Sequence, residues 1–565
     1  MNFAGMGVLP PDVTFTRAST SGGYYDGKTA VKAEENLFVN SVWAGAASGT
    51  PGTPPTSWTT GSTGGTYTVS GSSIQAFAAT GARHFFSQTI NVTTGTTLQI
   101  TVDVDAVSGT GIDAVVLAVA GTATFTGTSL IDVAAGTGRK TITLTITGTG
   151  TVTVRFGAGV NSNVGSDCTV TMKAPQAEIR SAATAYTPTT TAPITNYIPK
   201  LLFAPANVPV FDHNPVTGEA LGLSVWEART NLLLRSQEFG TTWTATRASV
   251  VANQIIAPDG TLTADKLVEN TDNNSHLLQQ SVTITAVSHT YTVYAKAGER
   301  SWLILNFISS GGGVRNASFN LSTGALGTIN ADYASASITP AGNGWYRCSV
   351  TRTATAAAWV CVAYIGSADN TISYTGDGTS GIYIWGAQLE AGAFATPYIP
   401  TVASTVARSA DVAVMTGVNF SRWFNNAQGA LVVEGRRDGT SSAFPNLATA
   451  SDGTANNRIL ISIYGATNQP AFDVVSGGAT QCALTKTAVG AGVFAKVAAS
   501  YQTNSFAMTA NGASVETDTL GTIPVVNQLR IGSNATGTVD LNGYIRSLSY
   551  YPIALTSAQL QAVTA

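Results

Sequence analysis

The sequence predicts an all-β protein, a tandem array of antiparallel β-sandwiches with an N-terminal arm, and three observations carry that prediction. Charged residues make up only 10% of the 565 residues, and 58 glycines mark frequent turns; an ordinary soluble domain carries about 25% charged residues. The hydrophobic fraction of 44% still suffices for packed cores, so the low charge does not signal disorder. Short polar/apolar alternations rich in β-branched residues recur along the chain, the period of strands with one buried face. The chain also repeats part of itself at a fixed offset. At about 150 residues per domain, the length allows roughly three to four units.

Residues 1–33 read as a Gly/Pro-bearing arm. Phe3, Met6, Val8, Leu9 and Phe15 are too few to build a core, and apolar groups in such a segment need a docking surface. The first sandwich spans 34–190. In it Thr97–Asp105 alternates over nine residues, Lys140–Ile146 does so again, and Thr151–Phe156 follows a Gly-rich turn. Residues 191–229 are a connector. A second sandwich, 230–409, places strands at Thr290–Lys296, Trp302–Ile308, Trp345–Arg352, Trp359–Ile365 and Gly381–Leu389. A third unit, 410–565, places them at Ala430–Glu434, Arg458–Tyr464, Ala471–Val475, Ala495–Tyr501, Phe506–Ala510, Gln528–Gly532 and Gly543–Tyr551. One helix start stands out, Leu555–Gln561, where Thr556 or Ser557 is placed to cap.

The repeat links the first two sandwiches. Gln176-Ala177-Glu178 with Tyr186-Thr187-Pro188-Thr189 matches Gln388-Leu389-Glu390 with Tyr398-Ile399-Pro400-Thr401 at a constant offset of 212. Each copy opens alike, with Glu35-Asn36-Leu37-Phe38 before Trp58 and Thr230-Asn231-Leu232-Leu233 before Trp243. In each copy the Gln-x-Glu strand is expected to be the last, with Glu178 over Glu390 and Tyr186 over Tyr398.

Composition excludes several functions. A net charge of -3 without a basic run argues against nucleic acid as a partner. No stretch approaches the ~18 apolar residues of a membrane helix, and Met1–Pro10 lacks the features of a signal peptide, so synthesis in a cytoplasm is expected. Glycoside hydrolysis needs paired carboxyl groups; Glu434 with Asp438 and Asp103 with Asp105 are the nearest approaches, the former running into a turn and the latter on a solvated strand face. His84, His213, His276 and His289 have no triad context. Cys348 and Cys361 flank a hairpin whose turn lies near 354–357; they read as buried thiols or a disulfide formed outside the cell, while Cys168 and Cys482 read as small core residues. For a structural Ca2+, Asp259, Asp265, Asp377 and Glu390 supply oxygens, although Asp-Gly is equally a plain turn. Sugar binding asks for an exposed aromatic platform beside polar groups. Tyr374 next to Asp377, with Trp302, is the candidate in the second sandwich, and Trp423 with Arg422 and Asn425 in the third.

Phe15-Thr16-Arg17-Ala18-Ser19-Thr20, Val208–Glu219 (with Phe211-Asp212-His213-Asn214-Pro215) and Glu227-Ala228-Arg229-Thr230-Asn231-Leu232-Leu233 resemble motifs of tailed-phage structural proteins, the tail-fibre and head-fibre components also found in gene transfer agents. Tyr294–Arg300 and Trp385–Gly392 fit the same pattern. The resemblance implies a carbohydrate-binding-module-like jelly roll in the middle. It also implies a last unit similar to a concanavalin A/laminin-G-like lectin sandwich, through Asn457-Arg458-Ile459, Asn511-Gly512 and Leu541–Arg546. Residues 34–190 then read as an extra module inserted between the arm and the connector. The expectation is a non-enzymatic virion appendage that adheres to bacterial surface polysaccharide. Its arm, through Phe3, Met6, Leu9 and Phe15, would bind other virion proteins or neighbouring copies in a homo-oligomer, a trimer above all; the alternative for the arm is that it packs against the connector at residues 200–228 and completes the scaffold the inserted module interrupts. A purely structural decoration protein is the alternative, and a capsule depolymerase a remote one.

Overall fold

The structure is a computed structural model that describes residues 1–110, 113–355, 357–439, 444–465 and 467–565. Two compact units emerge. One holds Lys32–Ile198 with Gln254–Ile256, the other Met1–Val31, Pro199–Asn253 and Ala257–Ala565.

The first unit is a sandwich of a five- and a six-stranded antiparallel sheet. Its strands follow the alternation. Along Thr97–Ser108, Leu98, Ile100, Val102 and Val104 all point inward, and Ile142, Leu144 and Ile146 of Gly138–Gly148 do the same on the paired strand. Each such side chain contributes about 1.5–3 kcal/mol on burial. The core also takes Phe38, Trp43, Trp58, Phe86 and Phe156, which meet edge to face.

The second sandwich has the same strand order. Its eight core strands, counted along the chain, are Ala264–Glu269, Asn273–Ile284, Ser288–Ala297, Trp302–Ser309, Asn316–Asn320, Trp345–Thr353, Ala357–Gly366 and Gly381–Ala391. One sheet orders them 1-8-3-6 and the other 2-7-4-5. In the first unit Ser73–Ala78, His84–Val92, Thr97–Ser108, Ala114–Ala120, Leu130–Asp132, Gly138–Gly148, Gly150–Ala158 and Cys168–Ile179 take the same two orders. Strands that alternate between two sheets in this way make a jelly roll. Cys348 and Cys361 fall on strands six and seven, which lie in opposite sheets; both are buried free thiols facing one core. The expected pairing of those two strands as a hairpin is therefore corrected, and residue 356 of its turn lies outside the described residues.

The repeated residues form one polar network, built twice. Glu390 accepts the Gln388 amide at 2.8 Å, the Thr396 N–H at 2.8 Å and the Thr396 hydroxyl at 2.6 Å. Glu178 accepts the Gln176 amide at 2.9 Å, the Thr184 N–H at 2.7 Å and the Thr184 hydroxyl at 2.8 Å. Tyr398 meets Ser236 at 2.7 Å and Tyr186 meets Ser41 at 2.8 Å. Asn231 and Asn36 each donate to the carbonyl at the same place in the exit segment, Ile399 at 2.8 Å and Thr187 at 2.8 Å. The network ties the last strand of each jelly roll to its entry segment. These buried polar groups are conserved between the copies because each would otherwise be left unpaired.

The C-terminal sandwich has two seven-stranded sheets, and it is not confined to residues 410–565. Thr14–Thr16 is the edge strand of one sheet, paired with Val412–Thr416; Phe211–His213 and Ala220–Val225 extend the other through Gly543–Tyr551. The arm is thus part of this core. The Met1 ammonium donates to the Leu548 carbonyl at 2.6 Å, and Asn2 caps the short helix Phe3–Met6. Phe3, 1% exposed, is buried in the core, and Leu9 and Phe15 pack against it. Of the residues expected to face an attachment partner, Met6 alone is largely exposed, at 56%. The physical reason is that a sandwich sheet must cover its apolar edge, and the arm supplies the missing strand.

The motif residues converge on the same scaffold. Buried Arg17 pairs with Asp411 at 3.0 Å and donates to the carbonyls of Pro205 and Val208, while Arg408 holds the other Asp411 oxygen at 3.1 Å. Asp212 accepts from the Tyr25 N–H and the Tyr544 hydroxyl, and Glu227 accepts from Asn542. At the C-terminus, Ser557–Thr564 is a helix with Thr556 and Gln559 in a capping box, worth about 1 kcal/mol.

Candidate functional site

The strand Arg458–Ile463 alternates strictly: Ile459, Ile461 and Ile463 enter the core, while Arg458, Leu460 and Ser462 point to the other face of the sheet. Cross-strand register aligns that outer face into rows. Arg530, Thr449, Leu460 and Asp473 lie side by side, then Ser451, Arg458 and Val475, then Asn446, Ser462 and Ala471. Above these rows opens a cleft of about 280 Å³ lined by Asn446, Arg458, Leu460, Asp473, Val475 and Thr480, with the Asn534–Val539 loop on one side and Phe444 and Tyr464 on another. The Phe444 and Tyr464 rings meet edge to face, centroids 5.0 Å apart, and Phe444 is 62% exposed.

The polar groups of this cleft are incompletely satisfied. Asn446, in the lining, is 3% exposed, yet its Oδ1 has no partner among the described residues; the Ser462 Oγ, fully buried in the same row but outside the lining, has none either. Leaving such a group unpaired costs about 1–3 kcal/mol. The Tyr464 hydroxyl donates to both Asp473 oxygens, at 3.1 and 3.3 Å. Burial and the adjacent carboxylate push the Tyr464 pKa up to about 12, and burial raises that of Asp473. The loop is held by Asn534, whose Oδ1 accepts the Thr538 N–H at 2.9 Å. An aromatic wall beside an amide, hydroxyls and a carboxyl on a concave face is a surface that grips a polyhydroxylated ring.

The residues expected to bind sugar lie elsewhere. The Tyr374 hydroxyl donates to buried Glu269 at 2.6 Å; the Arg300 guanidinium sits over its ring at 5.2 Å, and the His276 ring packs 4.8 Å away. Arg300 also holds both Glu269 oxygens. Tyr374 is therefore part of a closed knot, not an open platform, because its faces and hydroxyl are already engaged. Asp377 accepts from Thr379 and Ser380 within its own turn, and those bonds, the Ser380 hydroxyl first, hold its pKa low. Trp302 is half-buried at the start of its strand, opposite Gly366 and Asn320. Trp423 packs among Phe420, Phe424 and Tyr550 with its indole N–H on the Asn419 carbonyl, Arg422 pairs with Asp12, and Asn425 bonds Pro552 and the Tyr550 hydroxyl. Trp423 and Asn425 are thus engaged in packing and hydrogen bonding at the edge of the core, while Arg422 is exposed and paired with Asp12.

The four carboxylates offered for Ca2+ are not brought together, and the described residues contain no metal-binding cluster of acidic, His or Cys side chains. Glu390 belongs to the repeated network. Asp265 accepts the N–H groups of Phe239 and Asn253, and Asp259 closes a turn on Thr261. The other acidic pairs are engaged too: Glu434 with Arg546, Asp438 with Arg436, Asp103 with Arg139 and Asp105 with Lys173. The histidines bond separately, His84 to Ser62 and the rest to backbone carbonyls.

The cleft was legible only in part. Arg458-Ile459-Leu460-Ile461-Ser462-Ile463-Tyr464 shows an outer face carrying Leu and Tyr, which is unusual for a solvated strand. Asn446 and Asp473 come from the strands before and after it in the chain, and the Asn534–Val539 loop from a distant segment.

The solved structures that overlap the chain include the CBM40 of Ruminococcus gnavus IT-sialidase (22% identity, 25% of this chain and 84% of that one, TM-score 0.22) and mouse laminin alpha1 domains LG4-5 (14%, 51% and 91%, 0.19). Trypanosoma rangeli sialidase overlaps at 9% identity, 88% and 83%, TM-score 0.22. Overlaps at such TM-scores assign no ligand. The comparison with curated proteins gives no match. Residues 424–561 match the Laminin_G_3 model of the concanavalin A-like lectin/glucanases superfamily, so the sandwich that carries the cleft is a concanavalin A-like domain.

Proposed function

We propose that the protein is a non-enzymatic, glycan-binding adhesin whose sugar site is the Asn446–Tyr464–Asp473 cleft. The observation that carries the reading is the buried Asn446 Oδ1, without a partner among the described residues, in the cleft lining beside an aromatic wall. Hydrolysis is disfavoured because, among the described residues, Asp473 is the single acidic one lining the cleft, whereas glycosidases of either stereochemical type flank the bond with two carboxyl groups. The motifs around Arg17, Asp212 and Glu227 support a place on a virion, where several copies would multiply a weak sugar affinity. A homo-oligomer, a trimer above all, is the expected form, with the polysaccharide of a bacterial surface as partner.

Screening the whole protein against bacterial polysaccharides, then titrating a binder with wild type and Asn446→Ala, tests the site. Asn446→Ala is expected to weaken binding at least tenfold while the melting temperature changes little, because the lost Oδ1 has no protein partner. Undiminished binding in that variant removes the cleft from the account, and no binding to any polysaccharide leaves the purely structural reading.

A further inference from the structure

We infer that the cleft of the C-terminal sandwich selects glycans bearing a carboxylate, with Arg458, which lines the cleft, as the group that reads it and Arg530, beneath the Asn534–Val539 loop, adding positive charge behind that wall. This rests on the glycan-binding reading above and names its ligand class.

Arg530 and Arg458 both point to the outer face, on strands that flank Asn446–Ser451 from either side. Arg530 is half-buried, its Nε has no hydrogen-bond partner, and it makes no ion pair with any described residue. Of the arginine side chains on this face, Arg458 spends one nitrogen on the Ala455 carbonyl at 2.8 Å and leaves its Nε without a partner. Most other guanidinium groups of this unit, such as Arg17, Arg300 and Arg408, are paired with carboxylates. An unpaired, partly desolvated guanidinium is costly unless something anionic meets it.

The backbone makes room for this group. Gly537 adopts φ +73°, and a Cβ there would lie 2.7 Å from an Arg530 terminal nitrogen. The Asn534–Val539 loop that lines the cleft therefore passes directly over the guanidinium. The planar fork of Arg matches a carboxylate in two parallel hydrogen bonds, a geometry Lys does not reproduce. Asp473, the acidic group in the same cleft, is turned to the Tyr464 hydroxyl, so it is occupied as an acceptor. Asn446 remains for a sugar hydroxyl. Arg458 is thus placed to take the charge of an acidic sugar whose ring lies against Tyr464, with Arg530 behind the loop.

Calorimetric titration of the whole protein with uronic-acid and sialic-acid oligosaccharides, their carboxyl-reduced counterparts and a sulfated oligosaccharide tests this. At least one carboxylated ligand is expected to bind ten times more tightly than its reduced form, with affinity falling as salt rises. Arg458→Gln is expected to abolish that preference, and Arg530→Gln to weaken it. Equal affinity for carboxylated and reduced forms, lost in Asn446→Ala, overturns the acid selectivity and leaves the glycan site standing. Preference for the sulfated ligand alone also overturns it. Absence of binding to every ligand overturns both readings. The comparison of carboxylated and reduced ligands on the wild type decides the matter even if an arginine variant fails to fold.

Discussion

Glu178 and Glu390 do the same work in two jelly rolls, each accepting three hydrogen bonds from a neighbouring Gln and Thr. Removing either carboxylate leaves the buried Thr184 or Thr396 N–H without an acceptor and takes one acceptor from the Gln amide, so Glu390→Ala is expected to cost about 2–4 kcal/mol. Denaturant unfolding checks it, and a loss below about 0.5 kcal/mol would show that the network is ornamental. Because these oxygens are already spent on protein donors, a chelator is expected to leave the melting temperature unchanged; a drop of several degrees would put calcium back. Tyr374 tests the same idea at the other end of the second jelly roll. Its hydroxyl, its ring face and Arg300 all depend on Glu269. Tyr374→Ala is expected to lower stability by about 1–3 kcal/mol and to leave glycan affinity unaltered. Weakened binding in a variant of normal stability would restore it as a platform.

At the level of elements, the arm is the least local feature of the fold. Deleting residues 2–20 removes Phe3 from the core, the edge strand from its sheet and Arg17 from Asp411. Breaking a buried ion pair alone costs about 3–5 kcal/mol, so the C-terminal sandwich is expected to be unfolded or insoluble in that variant. A soluble protein with the wild-type unfolding midpoint would contradict the assignment of the arm to this core.

The strands themselves were readable, since Thr97–Ser108 and Arg458–Ile463 announce their buried face residue by residue. The pairing of Thr14–Thr16 with Val412–Thr416 was not, because a three-residue edge strand has no periodicity and its partner is some 400 residues away. The same limit hid the cleft, whose strand alternates legibly but whose Asn446 and Asn534 are brought in by cross-strand pairing. Two acids in this scaffold predict a pH dependence. Burial pushes the pKa of Asp540 up to about 7 and that of Asp212 up to about 6. The folded state thus keeps protons that the unfolded chain releases near pH 4. Their stabilising contribution is present below about pH 4 and is lost as pH rises to about 7. Asp540→Asn is expected to gain stability relative to wild type across that window, by a few kcal/mol at its end; parallel pH profiles for the two proteins would contradict the burial of this carboxyl.

Across the whole molecule, two copies of a jelly roll and one concanavalin A-like domain present several sandwich faces, and the C-terminal one carries a cleft in which an unpartnered amide oxygen, Asn446 Oδ1, lies beside an aromatic wall. The most direct test is a structure of the full chain with an oligosaccharide from a polysaccharide that it binds. The account predicts a sugar ring against Tyr464, with a hydroxyl within about 3 Å of Asn446 Oδ1. A ligand seated on either jelly roll, with the Asn446 cleft empty at saturation, would contradict it.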